Sequence, residues 1–331
     1  ITKSENKQDK LAEVFKAHYS KKMIEKEILY YNFIEREIEQ DKKGNKILKN
    51  QKGNLISPRP KQKFGVDKIM SKIDEFLEHE NEPDYFIAKL KEELKSFSQS
   101  MQDELIAKRL AFNNNKNIYS LLLQYAAGFG KSNIIGWSAL QLKDLKKNGS
   151  YVYDKIMLIV DRVQLRDQLD TKMFNMNIDN KMYIEASDKA SFQKALKEDN
   201  RLVIVNLQKF NDLRNMLDSD TLKKLSLLRV AFLIDEIHRS NSGAQHEEML
   251  SVFDELQASF DNNEAYTKQH KKKNLIIGFT ATPSDHTLAR FGEYNRYAEA
   301  EKLWIPFDSY TMREAIEDGY ILNPIRGIVP V

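Results

Sequence analysis

The sequence predicts an α/β fold in which an open, mostly parallel sheet is flanked by helices. Short apolar runs, as expected of strands buried on both faces, alternate with segments of helical periodicity. Connections of that length join parallel neighbours. The apolar runs, three of which end in polar motifs, are residues 120–125, 156–160, 202–205, 230–234 and 273–279. Because parallel strands present ligand-binding groups at their carboxyl ends, the motifs predict one shared site.

The first motif is a glycine-containing loop between the strand at 120–125 and a helical pattern that begins near Lys131. Gly128 and Gly130 allow backbone N–H groups to converge on phosphate oxygens at a helix N-terminus, where the helix dipole favours an anion. Lys131 would place a charge beside the β- and γ-phosphates, and Ser132 would supply a hydroxyl ligand to Mg²⁺. The predicted cofactors are therefore ATP and Mg²⁺. The predicted cofactor-binding residues are Ala127, Gly128, Phe129, Gly130, Lys131, Ser132 and Asn133.

One residue of this loop departs from the strict P-loop pattern GxxxxGK[ST]. Tyr125 stands where that pattern has its first glycine. The departure suits the helicase-type loop, which often lacks this glycine. An ordinary glycine turn before a helix is the alternative interpretation of the loop taken alone.

The second motif is acidic and follows the apolar run at 230–234. Asp235 would hold Mg²⁺, usually through water, and Glu236 would orient and deprotonate an attacking water. With Lys131 upstream, this catalytic interpretation is favoured over a solvated strand end, and it makes Glu236 and Lys131 the predicted catalytic residues. His238 follows two residues later, where an imidazole could transmit nucleotide state to the rest of the protein.

The third motif is Thr280-Ala281-Thr282-Pro283, at the end of the run at 273–279. The Thr280 and Thr282 hydroxyls could bridge the acidic site and a neighbouring lobe, while Pro283 stops the strand. With His238, they are the predicted coupling residues. A plain Thr-Pro turn is the alternative.

Two further strand ends carry amide and basic side chains. Arg162 follows the run at 156–160, and Gln208 and Lys209 follow the run at 202–205. At that edge such groups would contact DNA phosphates, which fixes register without reading sequence. Surface polar groups that cap helices are an equal alternative for each residue.

These motifs, in this order, resemble the motor region of type I restriction endonuclease R (HsdR-type) subunits, which belong to superfamily 2 of helicases and translocases. The matching segments are Gln124 to Ser132, Asp161-Arg162 with Gln168-Leu169, Leu207 to Phe210, Asp235 to Ser240, Gly278 to Pro283, Phe291-Gly292 and Tyr310 to Leu322. The resemblance implies a RecA-like lobe that hydrolyses ATP to translocate double-stranded DNA before cleavage. It also implies partner subunits, namely a modification methyltransferase and a specificity subunit.

Other functions stay open at this point. Another superfamily 2 DNA or RNA helicase would carry the same motifs, and a nucleotide-binding module without turnover would retain the loop. We find no acidic nuclease cluster of the PD-(D/E)xK type before residue 100 and no arginine-bearing helix of a second motor lobe after Pro283. We therefore expect residues 99–331 to form the first motor lobe, with half of a composite active site that is poorly active in isolation.

Composition restricts the kinds of binding site that the protein can have and the cellular compartment that we expect for it. Net charge is +3, from 52 basic and 49 acidic residues, so any DNA-binding surface must be local. The chain has no cysteine, which excludes disulfides and cysteine zinc sites. No apolar run approaches membrane length and the first residues are not a signal peptide, so we expect a cytoplasmic protein without membrane contact.

Residues 1–98 predict a separate, mainly helical module. Residues 67–97 place Ile69, Ile73, Phe76 and Leu77 on one helical face. Between the helical patterns, residues 42–63 contain eight basic residues and no acidic one, and their glycines and prolines predict a loop or hairpin. This basic loop is either a phosphate-contacting strap or a solvated charge run.

The placement of Arg162 and Lys209 at strand ends generates a test of the DNA interpretation. Replacing either residue by alanine should weaken DNA binding equally on all sequences and reduce the slope of log K against log salt by about one unit per lost phosphate contact. ATP affinity should be unchanged. A salt titration on a protein containing both motor lobes measures the slopes, and equal slopes in wild type and both variants would move the DNA path elsewhere.

Overall fold

The computed structural model describes residues 20–43, 46–80, 82, 85–112, 118–160, 163–176, 183–186, 189–197, 199–206, 228–238, 274–295 and 303–321. Its helices are α1 (Lys21–Lys26), α2 (Pro60–Glu78), α3 (Tyr85–Glu93), α4 (Gln99–Phe112), α5 (Lys131–Asp144), α6 (Val163–Asn175), α7 (Lys189–Lys197), α8 (Asp285–Phe291) and α9 (Met312–Glu317), with a π-helical turn at Glu27–Tyr31. Its longer strands are β1 (Phe33–Gln40), β2 (Lys46–Ile56), β3 (Ile118–Tyr125), β6 (Lys155–Val160), β7 (Tyr183–Ala186), β8 (Leu202–Asn206), β9 (Val230–Ile234) and β10 (Asn274–Thr280). Its short strands are β4 (Lys146–Lys147), β5 (Ser150–Tyr151), β11 (Glu293–Tyr294), β12 (Trp304–Ile305) and β13 (Asp308–Tyr310).

The main sheet confirms the predicted α/β fold class. Within the described residues it has seven strands in the order β13-β3-β10-β9-β6-β8-β7, and each neighbouring pair is parallel. β10 lies between β3 and β9, and its Thr280 is in register with Gln124 of β3. The ends of the three strands that carry the predicted motifs therefore adjoin at one edge.

Both faces of the sheet are buried, which explains why its strands are continuously apolar. Along β9, Ala231 and Leu233 belong to one core cluster and Phe232 and Ile234 to the other. The first cluster includes apolar residues of α2, α5 and α6, and the second includes residues of α7 and α8. The result is the three-layer arrangement expected of a parallel sheet. Within the described residues, no helix combines the length and apolar composition needed to span a bilayer.

The described part of residues 1–98 contains an antiparallel hairpin as well as helices. β1 and β2 form this hairpin, one of the two outcomes predicted for residues 42–63: half of that segment, Lys46–Ile56, is strand β2, and α2 begins at Pro60. Only part of this ribbon is buried: Phe33 is 4% exposed, whereas its neighbour Ile34 is 39% exposed. Because backbone pairing rather than a long apolar face holds the ribbon, its side chains carry little period-2 signal.

Helix α2 packs into the same core as the sheet. Ile69, Ile73, Phe76 and Leu77 are buried, as their helical spacing predicts, and they belong to the cluster that contains Trp137 of α5. Side chains from before and after residue 98 thus share one core. The domain division at 98/99 stays a prediction.

Tyr125, the residue that replaces the expected glycine, connects α2 to the sheet. Its hydroxyl donates to Asp308 Oδ2 at 2.7 Å, and Lys68 of α2 donates to Asp308 Oδ1 at 2.6 Å. Burial, with Asp308 adding to it, raises the pKa of Tyr125 far above its ordinary value, so the hydroxyl stays a donor. At Gly65 of α2, a Cβ would lie 2.2 Å from this hydroxyl.

We predict that Gly65→Ala lowers the free energy of unfolding by about 1–3 kcal/mol, because the added methyl group has no space beside the Tyr125 hydroxyl. Urea denaturation measures the change. The same substitution should cost less in a Tyr125→Phe background, where that oxygen is gone. An equal cost in both backgrounds would mean that the close approach to the hydroxyl is not the cause.

Candidate nucleotide-binding site

The glycine-containing loop turns tightly from β3 into α5. Gly128 and Gly130 have φ angles of +80° and +91°, a conformation that costs glycine little and other residues more. Gly130 precedes the first residue of α5 and has no side chain with which to cap it. The first N–H groups of the helix are therefore presented at the carboxyl edge of the sheet, as an anion site requires.

Phe129 holds this loop against the core. Its side chain is fully buried. The centroid of its ring lies 5.5 Å from that of Tyr125 and 4.3 Å from that of Tyr310 on β13. Its backbone N–H donates to Ala126 O at 3.2 Å. Phe129, predicted from sequence as a cofactor-binding residue, thus has a side chain directed into the core. By contrast, Ala127 and Gly128 are exposed.

Lys131 and Glu236 form an ion pair at the centre of the site. Lys131 Nζ donates to Glu236 Oε1 at 2.5 Å, and the two side chains are only 10% and 16% exposed. The pair joins the start of α5 to the end of β9. It therefore brings together the two residues predicted to be catalytic. A charge at this depth needs such a partner, or an anion in its place.

The acidic motif has an unusual backbone. Glu236 has a φ angle of +51°, in the left-handed region that residues other than glycine rarely adopt. Its N–H donates to Asp235 Oδ1 at 3.0 Å, and the following Ile237 N–H donates to Phe279 O of β10 at 3.1 Å. These contacts hold Glu236 in a strained turn, which directs its carboxylate towards Lys131.

His238 and Thr280 extend the contacts from Glu236 to β10. His238 Nδ1 lies 3.2 Å from Glu236 Oε2 and 2.7 Å from Thr280 Oγ1. Thr280 is buried, and its hydroxyl also accepts from the Thr282 backbone N–H at 3.1 Å. Of the three predicted coupling residues, His238 and Thr280 meet through their side chains, whereas Thr282 joins through its backbone.

The residues of the site fit Mg-ATP. A buried lysine, helical N–H groups and the buried carboxylate of Asp235 adjoin at one edge, where Ser132 and Asn133 also begin α5. In the part of the chain that is described, no group of three or more His, Asp or Glu side chains could hold a metal alone. Ser132 and Asp235 would therefore hold Mg²⁺ together with phosphate oxygens, which is how this ion is commonly bound.

Asn133 faces a neighbouring helix. Its Oδ1 accepts from Lys172 Nζ of α6 at 2.7 Å, and Lys172 also lies 3.7 Å from Glu35 of β1. The first turn of α5 is thereby linked to α6 and to the ribbon. The predicted DNA-binding residues Arg162, Gln208 and Lys209 lie outside the described residues.

Gln62 of α2 is a site residue that the sequence analysis missed. It is 4% exposed; its Nε2 donates to Phe129 O at 2.6 Å and its Oε1 accepts from Arg59 N at 2.8 Å. A Cβ at Gly130 would lie 2.7 Å from Gln62 Nε2. The available signal was a glutamine three residues after Arg59, where a helix-capping side chain is expected, together with Pro60 at the first helical position.

One protein-family model matches most of the chain. The family described as SWI2/SNF2 ATPase matches residues 61–326, a span that contains the loop, the acidic motif and the threonine motif. No curated protein matches the sequence.

Similar solved structures include three helicases. The UvsW helicase from bacteriophage T4 has 13% identity and a TM-score of 0.33, over 58% of this chain and 54% of its own. The Hef helicase domain of Pyrococcus furiosus has 18% identity and a TM-score of 0.33, over 54% and 33%. The DEAD-box helicase Mss116, bound to ssRNA and UDP-BeF, has 15% identity and a TM-score of 0.37, over 62% and 38%. The matched region thus spans between about a third and about half of these solved chains.

The contact between Gln62 and Phe129 predicts a double effect of Gln62→Ala. Loss of this buried hydrogen bond should lower the free energy of unfolding by about 1–3 kcal/mol, because Phe129 O is left without its donor. It should also weaken Mg-ATP binding, because the loop loses a support. Gln99→Ala is the matched control: Gln99 is exposed and, among the residues that are described, its side chain bonds to Asp103 one turn away, so stability should change by less than about 0.5 kcal/mol. Equal effects of both variants in urea denaturation and nucleotide titration would contradict the assignment.

Proposed function

The chain belongs to the SWI2/SNF2 ATPase family, and we propose that it is the motor lobe of a type I restriction endonuclease R subunit, which hydrolyses Mg-ATP to translocate double-stranded DNA before cleavage. The observation that carries the ATPase part is the 2.5 Å contact between Lys131 and Glu236 at the end of the glycine-containing loop. The assignment to a restriction enzyme is supported by the residues of the sequence motifs and by their order, from Gln124 through Pro283 to the segment at 310–322.

The ion pair suggests how the site changes when nucleotide binds. Bound Mg-ATP supplies the phosphoryl group, and the metal neutralises charge on its oxygens. Lys131 would exchange the Glu236 carboxylate for phosphate oxygens, since both partners are anionic. Glu236, released from that contact, would orient water and accept its proton.

The contacts of His238 suggest how this change reaches β10. The imidazole touches both Glu236 and Thr280, so a Glu236 side chain that turns towards water alters the partners of His238. The Thr280 hydroxyl also holds the backbone at Thr282, where β10 ends. We infer that His238, Thr280 and Thr282 couple hydrolysis to the segment that follows β10.

DNA and the partner subunits complete the proposal. We infer that double-stranded DNA runs along the carboxyl edge of the sheet, with Arg162, Gln208 and Lys209 contacting phosphates. A modification methyltransferase and a specificity subunit would supply site recognition, and the assembly would work in the cytoplasm. Another superfamily 2 helicase, acting on DNA or RNA, is the alternative within the same fold.

Two substitutions separate nucleotide binding from turnover. Lys131→Ala should weaken Mg-ATP binding about 10–100-fold, because it removes a charged hydrogen bond to phosphate. Glu236→Gln should leave affinity within a few fold but reduce hydrolysis about 10²–10⁴-fold, because it removes a general base while preserving shape. Nucleotide titration and single-turnover hydrolysis measure the two effects. Equal losses of affinity in both variants would show that the assigned roles are wrong.

The nucleic acid that stimulates hydrolysis tests the rest of the proposal. In a protein with both motor lobes, duplex DNA should raise ATP turnover more than single-stranded DNA or RNA of the same length. Stimulation by RNA alone would favour an RNA helicase. Reconstitution with methyltransferase and specificity subunits then tests the restriction assignment, which fails if duplex-stimulated turnover is never accompanied by their binding.

A further inference from the structure

The second strand of the β1–β2 ribbon carries lysines that the nucleotide site does not use. This strand and the adjoining turn contain Lys42, Lys43, Lys46, Lys49 and Lys52, and no acidic residue lies between 42 and 63. Two of the five lysines are paired: Lys46 with Asp170 of α6, and Lys49 with Glu37 at 3.1 Å. The other three, Lys42, Lys43 and Lys52, are exposed.

Within the described residues, the side chains of these three exposed ribbon lysines form no ion pair, although the Lys43 backbone N–H donates to Asp41 Oδ1 at 2.8 Å. The ribbon also carries four acidic residues, Glu35, Glu37, Glu39 and Asp41, so residues 33–56 hold six basic and four acidic side chains. The ribbon therefore has a net charge of +2, with Lys42, Lys43 and Lys52 as its exposed cations outside ion pairs.

The ribbon is anchored firmly at its base. Asn175 of α6 exchanges two hydrogen bonds with the backbone of Arg36, at 3.1 and 3.2 Å. Tyr31 and Phe33, which lead into β1, are buried in the main core. An isolated hairpin is marginally stable in water, so these anchors stabilise the backbone that carries the lysines. A fixed backbone loses less conformational entropy when the ribbon binds a polyanion.

The anchors also determine where the ribbon points. Arg36 contacts Asn175 at the end of α6, whereas Lys46, which pairs with Gln40 across the ribbon, contacts Asp170 about one turn earlier. β1 therefore runs antiparallel to α6, and the turn of the ribbon is directed towards the start of that helix at Val163.

The start of α6 identifies the edge that the lysines approach. Val163 follows the carboxyl end of β6, which is the neighbour of β9 in the parallel sheet. The carboxyl end of β9 carries Asp235 and Glu236. Lys42 and Lys43, at the turn, are thus directed towards the edge of the sheet that holds the nucleotide site, whereas Lys52 lies beside Gly53, which pairs with Arg36 at the base of the ribbon.

We propose that the ribbon is a second DNA contact of this lobe, in which Lys42, Lys43 and Lys52 bind phosphates of the duplex that the motor moves. This inference rests on the proposed function, since it takes duplex DNA as the substrate. The contact is sequence-independent, because ammonium groups bind phosphates and carry no base-reading geometry. It lies outside the helicase motifs.

A salt titration of duplex binding tests the proposal with this chain. The variant Lys42→Gln/Lys43→Gln/Lys52→Gln should reduce the slope of log K against log salt by up to about 2.7, since each phosphate contact contributes about 0.9. Between about 50 and 200 mM salt, wild type should therefore lose roughly 40-fold more affinity than the variant. The probe is a short DNA duplex of random sequence.

Two control variants make the result specific. Lys21→Gln/Lys91→Gln/Lys95→Gln removes the same charge from exposed positions on α1, on α3 and just after α3, and should leave the slope unchanged. The charge-preserving variant Lys42→Arg/Lys43→Arg/Lys52→Arg should keep the wild-type slope. Urea denaturation of all variants checks that stability is unaltered.

The outcomes separate this proposal from the function on which it rests. If wild type binds the duplex and the glutamine variant has the wild-type slope, the ribbon contact is wrong and the motor function stands. Equal slope reductions in the ribbon and control triples also overturn the ribbon contact, because general charge then explains binding. If wild type does not bind duplex DNA at any salt concentration, both proposals are wrong.

Discussion

Lys131 and Glu236 carry opposite charges at a depth where water has little access, and the site is arranged around that constraint. An unpaired charge there is costly, and a hydrogen-bonded partner offsets much of the cost. The pair keeps the ends of β3 and β9 in a fixed relation although its members are 105 residues apart in sequence. His238 and Thr280 then continue the polar contacts to the strand that lies between β3 and β9.

The pairing of Lys131 with Glu236 also determines how an anion binds at the site. A polyphosphate that approaches the start of α5 competes with one carboxylate for one ammonium group, so binding replaces a partner without creating a new buried charge. The strained conformation of Glu236, with its φ angle of +51°, is maintained by neighbours on β9 and β10. When phosphate replaces Glu236 as the partner of Lys131, the strained turn at Glu236 therefore also loses one of its contacts.

The parts of this arrangement that were predictable from sequence are those with local patterns. Continuous apolar runs identify the strands, and the glycines, Asp235-Glu236 and the threonines identify the ends that meet. For the ribbon, the glycines and prolines of residues 42–63 left a loop and a hairpin both open, because backbone pairing leaves few buried side chains to mark the strands. Gln62 was missed because its partner, the Phe129 carbonyl, is 67 residues away and belongs to the backbone. Phe129 lies between two glycines of the loop and its ring fills the core, while its role in cofactor binding stays a prediction.

The packing of Phe129 on Tyr310 ties the loop to a segment far along the chain. β3, which leads into the loop, has β13 and β10 as its two sheet neighbours, and both follow it by more than a hundred residues. During synthesis, the polypeptide around Gly128 and Gly130 therefore emerges long before the strands that support it. Contacts of such high sequence separation form late, since a long loop must close first. The phosphate-binding turn thus reaches its final packing only after residues up to Tyr310 have been made and have joined the sheet.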